Sequence, residues 1–184
     1  MQSFLRGNED ERSADSVIMG PSTANQRIER WWCTLRSECI QFWMDHFDQM
    51  KADGHFDDSF IDKSLIQFCF QNAIQEELDE VAVAWNDHRI RASHNSRAPS
   101  GHPSMLYAVP HLYGGQNFCQ AVDQAKIDVC LEECNFKDYP CDVDFYHICT
   151  DLMAEHNLTM SNDIFKVTDL YLNLRELIRL ELRE

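Results

Sequence analysis

The chain has 184 residues, a mass of 21.5 kDa and a formal net charge of −15 at pH 7. Hydrophobic residues make up 44% of it, enough for a packed core, which excludes global disorder. So acidic a balance excludes tight, non-specific nucleic-acid binding over the whole surface, because phosphate contacts need clustered Lys and Arg. A local basic strip remains compatible with it.

No uninterrupted apolar stretch reaches the length of a membrane span, and Met1 to Asp10 lack the apolar core of a secretory signal. The expectation is an intracellular protein with no membrane association. Eight cysteines in a chain of this size read as reduced thiols rather than a disulfide framework, with Cys33, Cys39, Cys69 and Cys149 buried beside aromatics. Asn157-Leu158-Thr159 matches a glycosylation sequon, which carries no meaning outside the secretory pathway.

Residues 1–15 are polar and charged and read as a disordered N-terminal segment. Val17-Ile18-Met19 suits one short strand, and Gly20-Pro21 breaks the chain before a helix. Thr23 is placed as its N-cap, with Gln26 in the capping-box position. Ile28, Trp32, Leu35, Cys39, Phe42 and Phe47 then recur at helical spacing, and Trp31 and Trp43 widen the stripe. The spacing predicts a helix to about Ala52, stopped at Asp53-Gly54.

Ser59 and Asp62 form a second capping pattern. The apolar stripe behind it changes phase around Phe68-Cys69-Phe70, which predicts either two helices or one bent, largely buried helix. Asn86 to Gly115 holds Pro99, Gly101, Pro103, Pro110 and Gly114 and reads as loop and short turns. Val122 to Cys134, Val143 to His156 and Val167 to Arg183 are each helical, the last with Leu170, Leu174, Leu177 and Ile178 on one side and Arg175, Arg179 and Arg183 on another. The predicted architecture is mainly α, with at most a strand or two, packed through Trp32, Phe42, Leu65, Phe68, Leu78 and Trp85.

Glu29 shares a helix face with Asn25, one turn before it, and Arg36, about two turns after it. A carboxylate on a rigid helix above a loop suits metal binding. A glutamate in a first turn also complements the helix dipole, so both readings stand from position alone.

The string from Ser22 to Trp32, STANQRIERWW, is followed by Trp85-Asn86-Asp87-His88-Arg89 and the segment Pro99 to Pro103. Together these resemble the integrase core proteins of animal genomes, within the retroviral-integrase and DDE-transposase superfamily of RNase H-like fold. The resemblance covers about Gly20 to Gly114. It implies a partial integrase-core region over residues 16–114, the helical C-terminal portion of that α/β core, and a helical extension over 115–184.

By that resemblance Glu29 holds the place of the last carboxylate of the acidic triad. Family members bind a pair of Mg²⁺ or Mn²⁺ ions, about 4 Å apart, with two Asp and one Glu during DNA strand transfer. Asp10 and Asp15 are the only aspartates ahead of Glu29; both lie close to it and lack the strand context of the family's aspartates. No complete metal site, and no cofactor, is therefore expected unless two Asp are supplied elsewhere. The family's helix also contacts DNA from basic residues one and two turns past the Glu. Here the first position is Cys33, a departure, and the second is Arg36, which keeps the charge. Asn25, Arg27 and Arg30 add candidate contacts, and the resemblance implies a nuclear location.

Between His88 and Tyr113 there is no acidic residue, while Arg89, Arg91, Arg97 and four histidines are present. His88, Arg89, Arg91 and Arg97 are thus candidate phosphate contacts. Alternatively, Arg89 and Asn86 simply close the helix end. Cys130, Cys134, Cys141, His147 and Cys149 raise a zinc reading, but their spacing is irregular beside paired C-x₂₋₄-C ligands, and core thiols are preferred.

The expected function is an integrase-derived, nucleic-acid-binding fragment that is catalytically inactive alone. Its alternatives are a truncated form of an active Mg-dependent strand transferase and a helical protein-interaction module. The expected partners are DNA, and a second copy or another protein through exposed apolar surface.

Overall fold

The protein is mainly α-helical, as its hydrophobic spacing predicts. A computed structural model describes residues 26–92, 99–115, 121–134 and 137–182, with backbone alone for Gln26 and Arg27. The N-terminal segment, the strand at Val17 and the Thr23 cap lie outside the described residues. Among these, the one β pairing is an isolated antiparallel bridge between Ile90 and Gly101.

Helix α1 (Gln26–Leu35) runs through a π turn (Arg36–Ile40) into α2 (Gln41–Ala52). The Gln41 N–H donates to the Arg36 carbonyl, five residues back, which gives the turn its extra width. Leu35, Cys39 and Trp43 are buried at strict intervals of four. A regular helix of 3.6 residues per turn drifts out of phase with that interval; the wide turn holds the three in line. This corrects the predicted packing, because Trp32 (53%) and Phe42 (49%) are exposed. Cys33 is exposed as well.

The stop at Asp53-Gly54 is present, and its geometry is a Schellman motif. Gly54 has φ +75°, its N–H reaches the Lys51 carbonyl at 3.1 Å, and the His55 N–H reaches the Met50 carbonyl at 2.8 Å.

One helix, α3 (Phe60–Asp87), fills the region where the stripe changes phase. Ser59 Oγ accepts from the Asp62 N–H at 3.2 Å, as the capping pattern predicts. The phase change marks enclosure on several sides rather than a break: Leu65, Phe68, Cys69, Phe70 and Ala73 are all buried.

Short helix α4 (Pro103–Ala108) and a 3₁₀ turn (Pro110–Tyr113) occupy the Pro-rich stretch read as loop. Then come α5 (Gln124–Glu132), α6 (Val143–Glu155) and α7 (Ile164–Glu181). An aspartate caps each of these last three: Asp123, Asp142 and Asp163 accept from N–H groups two or three residues on. With Asp163 as its cap, α7 starts at Ile164, three residues ahead of the predicted Val167.

The chain divides into two compact units. The second, residues 31–85 and 137–184, holds every buried side chain among the described residues. Its core joins Trp43 of α2, Leu65 and Phe70 of α3, Cys149 and Leu152 of α6, and Val167, Tyr171 and Leu174 of α7. Arg175 lies on this buried face of α7, not on the outer side that its spacing predicts, because a buried carboxylate receives it. Leu78 packs partly against the core, and Trp85 contacts Trp31 with ring centroids 5.1 Å apart.

The first unit comprises residues 1–30 and 86–136. Its described side chains are all exposed or half-buried.

Cys39, Cys69 and Cys149 are buried free thiols, as the composition predicts. Burial, with Cys141 nearby, pushes the Cys149 thiol up to about 12.

Candidate nucleic-acid interface

The stretch from His88 to Tyr113 is built around the bridge. The Ile90 N–H donates to the Gly101 carbonyl at 2.8 Å, and the Gly101 N–H returns the bond at 3.0 Å. Gly101 adopts φ +144°, where side chains strain the backbone, and a Cβ there would meet Tyr113 Cε1 at 3.3 Å. The glycine is therefore needed for both the backbone shape and the close approach.

His102 ties the far side of this loop to the end of α3. Its Nδ1 lies 2.5 Å from the Asp87 carbonyl oxygen. A carbonyl only accepts, so Nδ1 carries the hydrogen. Pro103 then opens α4 at a position where the missing N–H costs nothing.

Arg89 and Arg91 flank Ile90 at the bridge, and both are exposed. His88 is half-buried. Arg97 lies outside the described residues.

Glu29 and Arg30 are exposed on α1. Asn25, and the side chain of Arg27, lie outside the described residues. Arg36, at the start of the π turn, is exposed in the second unit; its Nε donates to Gln41 Oε1 at 3.3 Å, and Gln41 Nε2 donates onward to Asp45 at 2.8 Å. Arg89 and Arg91 thus both lie exposed beside the bridge, while Arg36 is engaged in a helix-surface chain of polar contacts. The bridge and the glycine were missed by sequence reasoning, although Gly101 between Pro99 and Pro103 was a visible signal for a special backbone position.

Among the described residues no three His, Cys, Asp or Glu side chains gather as a metal ion would require. Glu29 is exposed, and among the described residues it belongs to no such group. The same holds for a zinc set drawn from Cys130, Cys134, Cys141, His147 and Cys149. Among the described residues no helix is long and apolar enough to cross a membrane.

A family model described as an integrase core domain matches residues 3–108. No curated protein and no solved structure matches the chain. The matched segment holds Glu29, the π turn, all of α3 and the bridged basic loop. It spans more than half of the 184 residues, and the chain belongs to the integrase core domain family.

Proposed function

We propose that this chain is an integrase-derived nucleic-acid-binding module whose own residues do not carry out strand transfer. The observation that carries the reading is the pair Arg89 and Arg91, exposed on a bridged loop free of acidic residues in an otherwise strongly acidic chain. Counterion release at phosphates rewards such a local cluster even when the whole protein is an anion. Arg30, on the helix that bears Glu29, and Arg36, in the turn after it, are further candidate phosphate contacts. The family fold would be RNase H-like, with residues 16–114 as its helical portion and 115–184 as an extension, and a nuclear location would follow from DNA as partner.

Glu29 supplies one carboxylate, and hard divalent cations need several oxygen ligands. Strand transfer therefore needs two further aspartates from outside the described residues.

Fluorescence anisotropy with duplex DNA over a salt series tests the proposal. The Arg36→Ala, Arg89→Ala double variant should bind more weakly and lower the log–log salt slope by about 2. Unchanged binding by a folded double variant removes the site assignment. A Mg²⁺-dependent joining or nicking activity abolished by Glu29→Gln would overturn the inactive reading.

A further inference from the structure

Two tyrosines line an open groove on the second unit. Tyr139 and Tyr146 meet with ring centroids 4.9 Å apart and planes at 53°. Phe68, itself buried, stands 5.4 Å from Tyr146 at 67°. With the side chains of Gln71, Asn72 and Asp138 they bound a cavity of about 480 Å³. Tyr139 keeps 36% of its surface exposed there. Neither amide side chain nor the Asp138 carboxylate makes a hydrogen bond or ion pair with another described residue. The groove therefore combines aromatic faces with acceptor oxygens that receive no donor from the described residues.

The charge of the unit selects among ligands. Residues 31–85 and 137–184 carry 21 of the chain's 31 acidic residues but 8 of its 16 lysines and arginines. An anion would be repelled here, and a cation drawn in. Between the two cationic side chains, a guanidinium is flat, stacks on a tyrosine face and brings five donors in a fixed plane. An ammonium is compact and strongly hydrated, and makes poorer use of a carboxylate with two amide oxygens beside aromatic rings. Lys137 also borders the groove, but its long stem lets the ammonium withdraw to water.

We infer that this groove binds an arginine side chain of a basic peptide segment, stacked on Tyr139 and Tyr146 and hydrogen-bonded to Asp138 and the neighbouring amides. The groove's lining residues all belong to the second unit, and peptide binding there does not depend on the nucleic-acid reading.

Anisotropy with a fluorescein-labelled nona-arginine peptide tests it, with nona-lysine, nona-citrulline and oligothymidylate as comparisons. Nona-arginine should bind tightest. Tyr139→Ala and Asp138→Asn should each weaken it roughly fivefold to tenfold, Tyr139→Phe should retain it, and Lys137→Ala should strengthen it. Asp169→Asn, the same charge change at a residue that does not line the groove, should have little effect. Equal losses from Asp138→Asn and Asp169→Asn with Tyr139→Ala silent would mean a general acidic surface and overturn the site. Tighter binding of oligothymidylate than of nona-arginine would overturn it too.

Discussion

Arg175 grips both oxygens of Asp62, a carboxylate with no exposed surface. Nε reaches Oδ1 at 2.8 Å and Nη2 reaches Oδ2 at 2.9 Å, while Nη1 donates to the Gly54 carbonyl at 3.2 Å. The Asp57 N–H adds a further bond to Asp62 Oδ2 at 2.8 Å. One guanidinium thus fastens α7 to the start of α3 and to the turn that ends α2.

Removing one partner of such a pair leaves the other charge buried and alone. Asp62→Ala should cost about 3–5 kcal/mol in urea denaturation. The double variant Asp62→Leu, Arg175→Met should lose less than the single, since it buries no orphaned charge. Equal losses in both would show that the pairing is not what matters.

His46 packs among the rings of Trp43, Phe47 and Phe70, and burial lowers its pKa. Thr168 gives its hydroxyl hydrogen to the Ile164 carbonyl at 2.7 Å, so its oxygen accepts from His46 Nε2–H at 3.2 Å. The neutral ring is satisfied; a second proton would have no described partner. Between the ordinary histidine pKa and the lowered folded value, the unfolded chain binds a proton that the folded one refuses. Stability is fully present above that window and falls as pH drops through it. Urea midpoints from about pH 7.5 to about pH 5 should fall less steeply for His46→Gln than for the parent.

Thiol access should separate sharply. Cys33 and Cys134 are exposed, whereas Cys39, Cys69 and Cys149 are buried with raised pKa values, chiefly through burial. Because thiolate is the reacting form, iodoacetamide should label the first pair in the native protein and the buried three after unfolding. Peptide mass spectrometry reads the order, and early labelling of Cys69 would contradict the packing of α3.

Gly101→Ala should loosen the basic loop while sparing the helical core. The strain of a side chain at φ +144° together with the Tyr113 contact should cost about 1–3 kcal/mol locally. Hydrogen exchange should quicken at the Ile90 and Gly101 amides, and DNA affinity should fall with it. Unchanged exchange at those amides would remove the bridge from the argument.

The helices were legible in the sequence because burial imposes its period on apolar residues. The second half of the chain shows this best: its three predicted segments correspond to α5, α6 and α7. Phe42 misled for one reason, since a regular 3.6-residue period was carried across Arg36–Ile40, where the turn is wider; nothing in the turn explains Trp32, exposed upstream of it. Arg175 misled for another. Spacing marks a cation as outward-facing, and no local signal shows that a carboxylate 113 residues away will be buried to meet it. Of the candidate interface, the charge asymmetry of residues 88–113 was plain, but the bridge closing it is a non-local pairing that periodicity does not reveal.

The wide turn at Arg36–Ile40 has a bearing on how this helix tolerates change in length. Losing one residue there would restore an ordinary turn and leave Trp31 and Trp32 facing nearly as before, because the wide turn already absorbs the rotation of one residue. Trp43 would stay seated. A single-codon deletion in that turn therefore acts as a silent shortening: the chain gives up a residue while Trp32 and Trp43 keep their bearings.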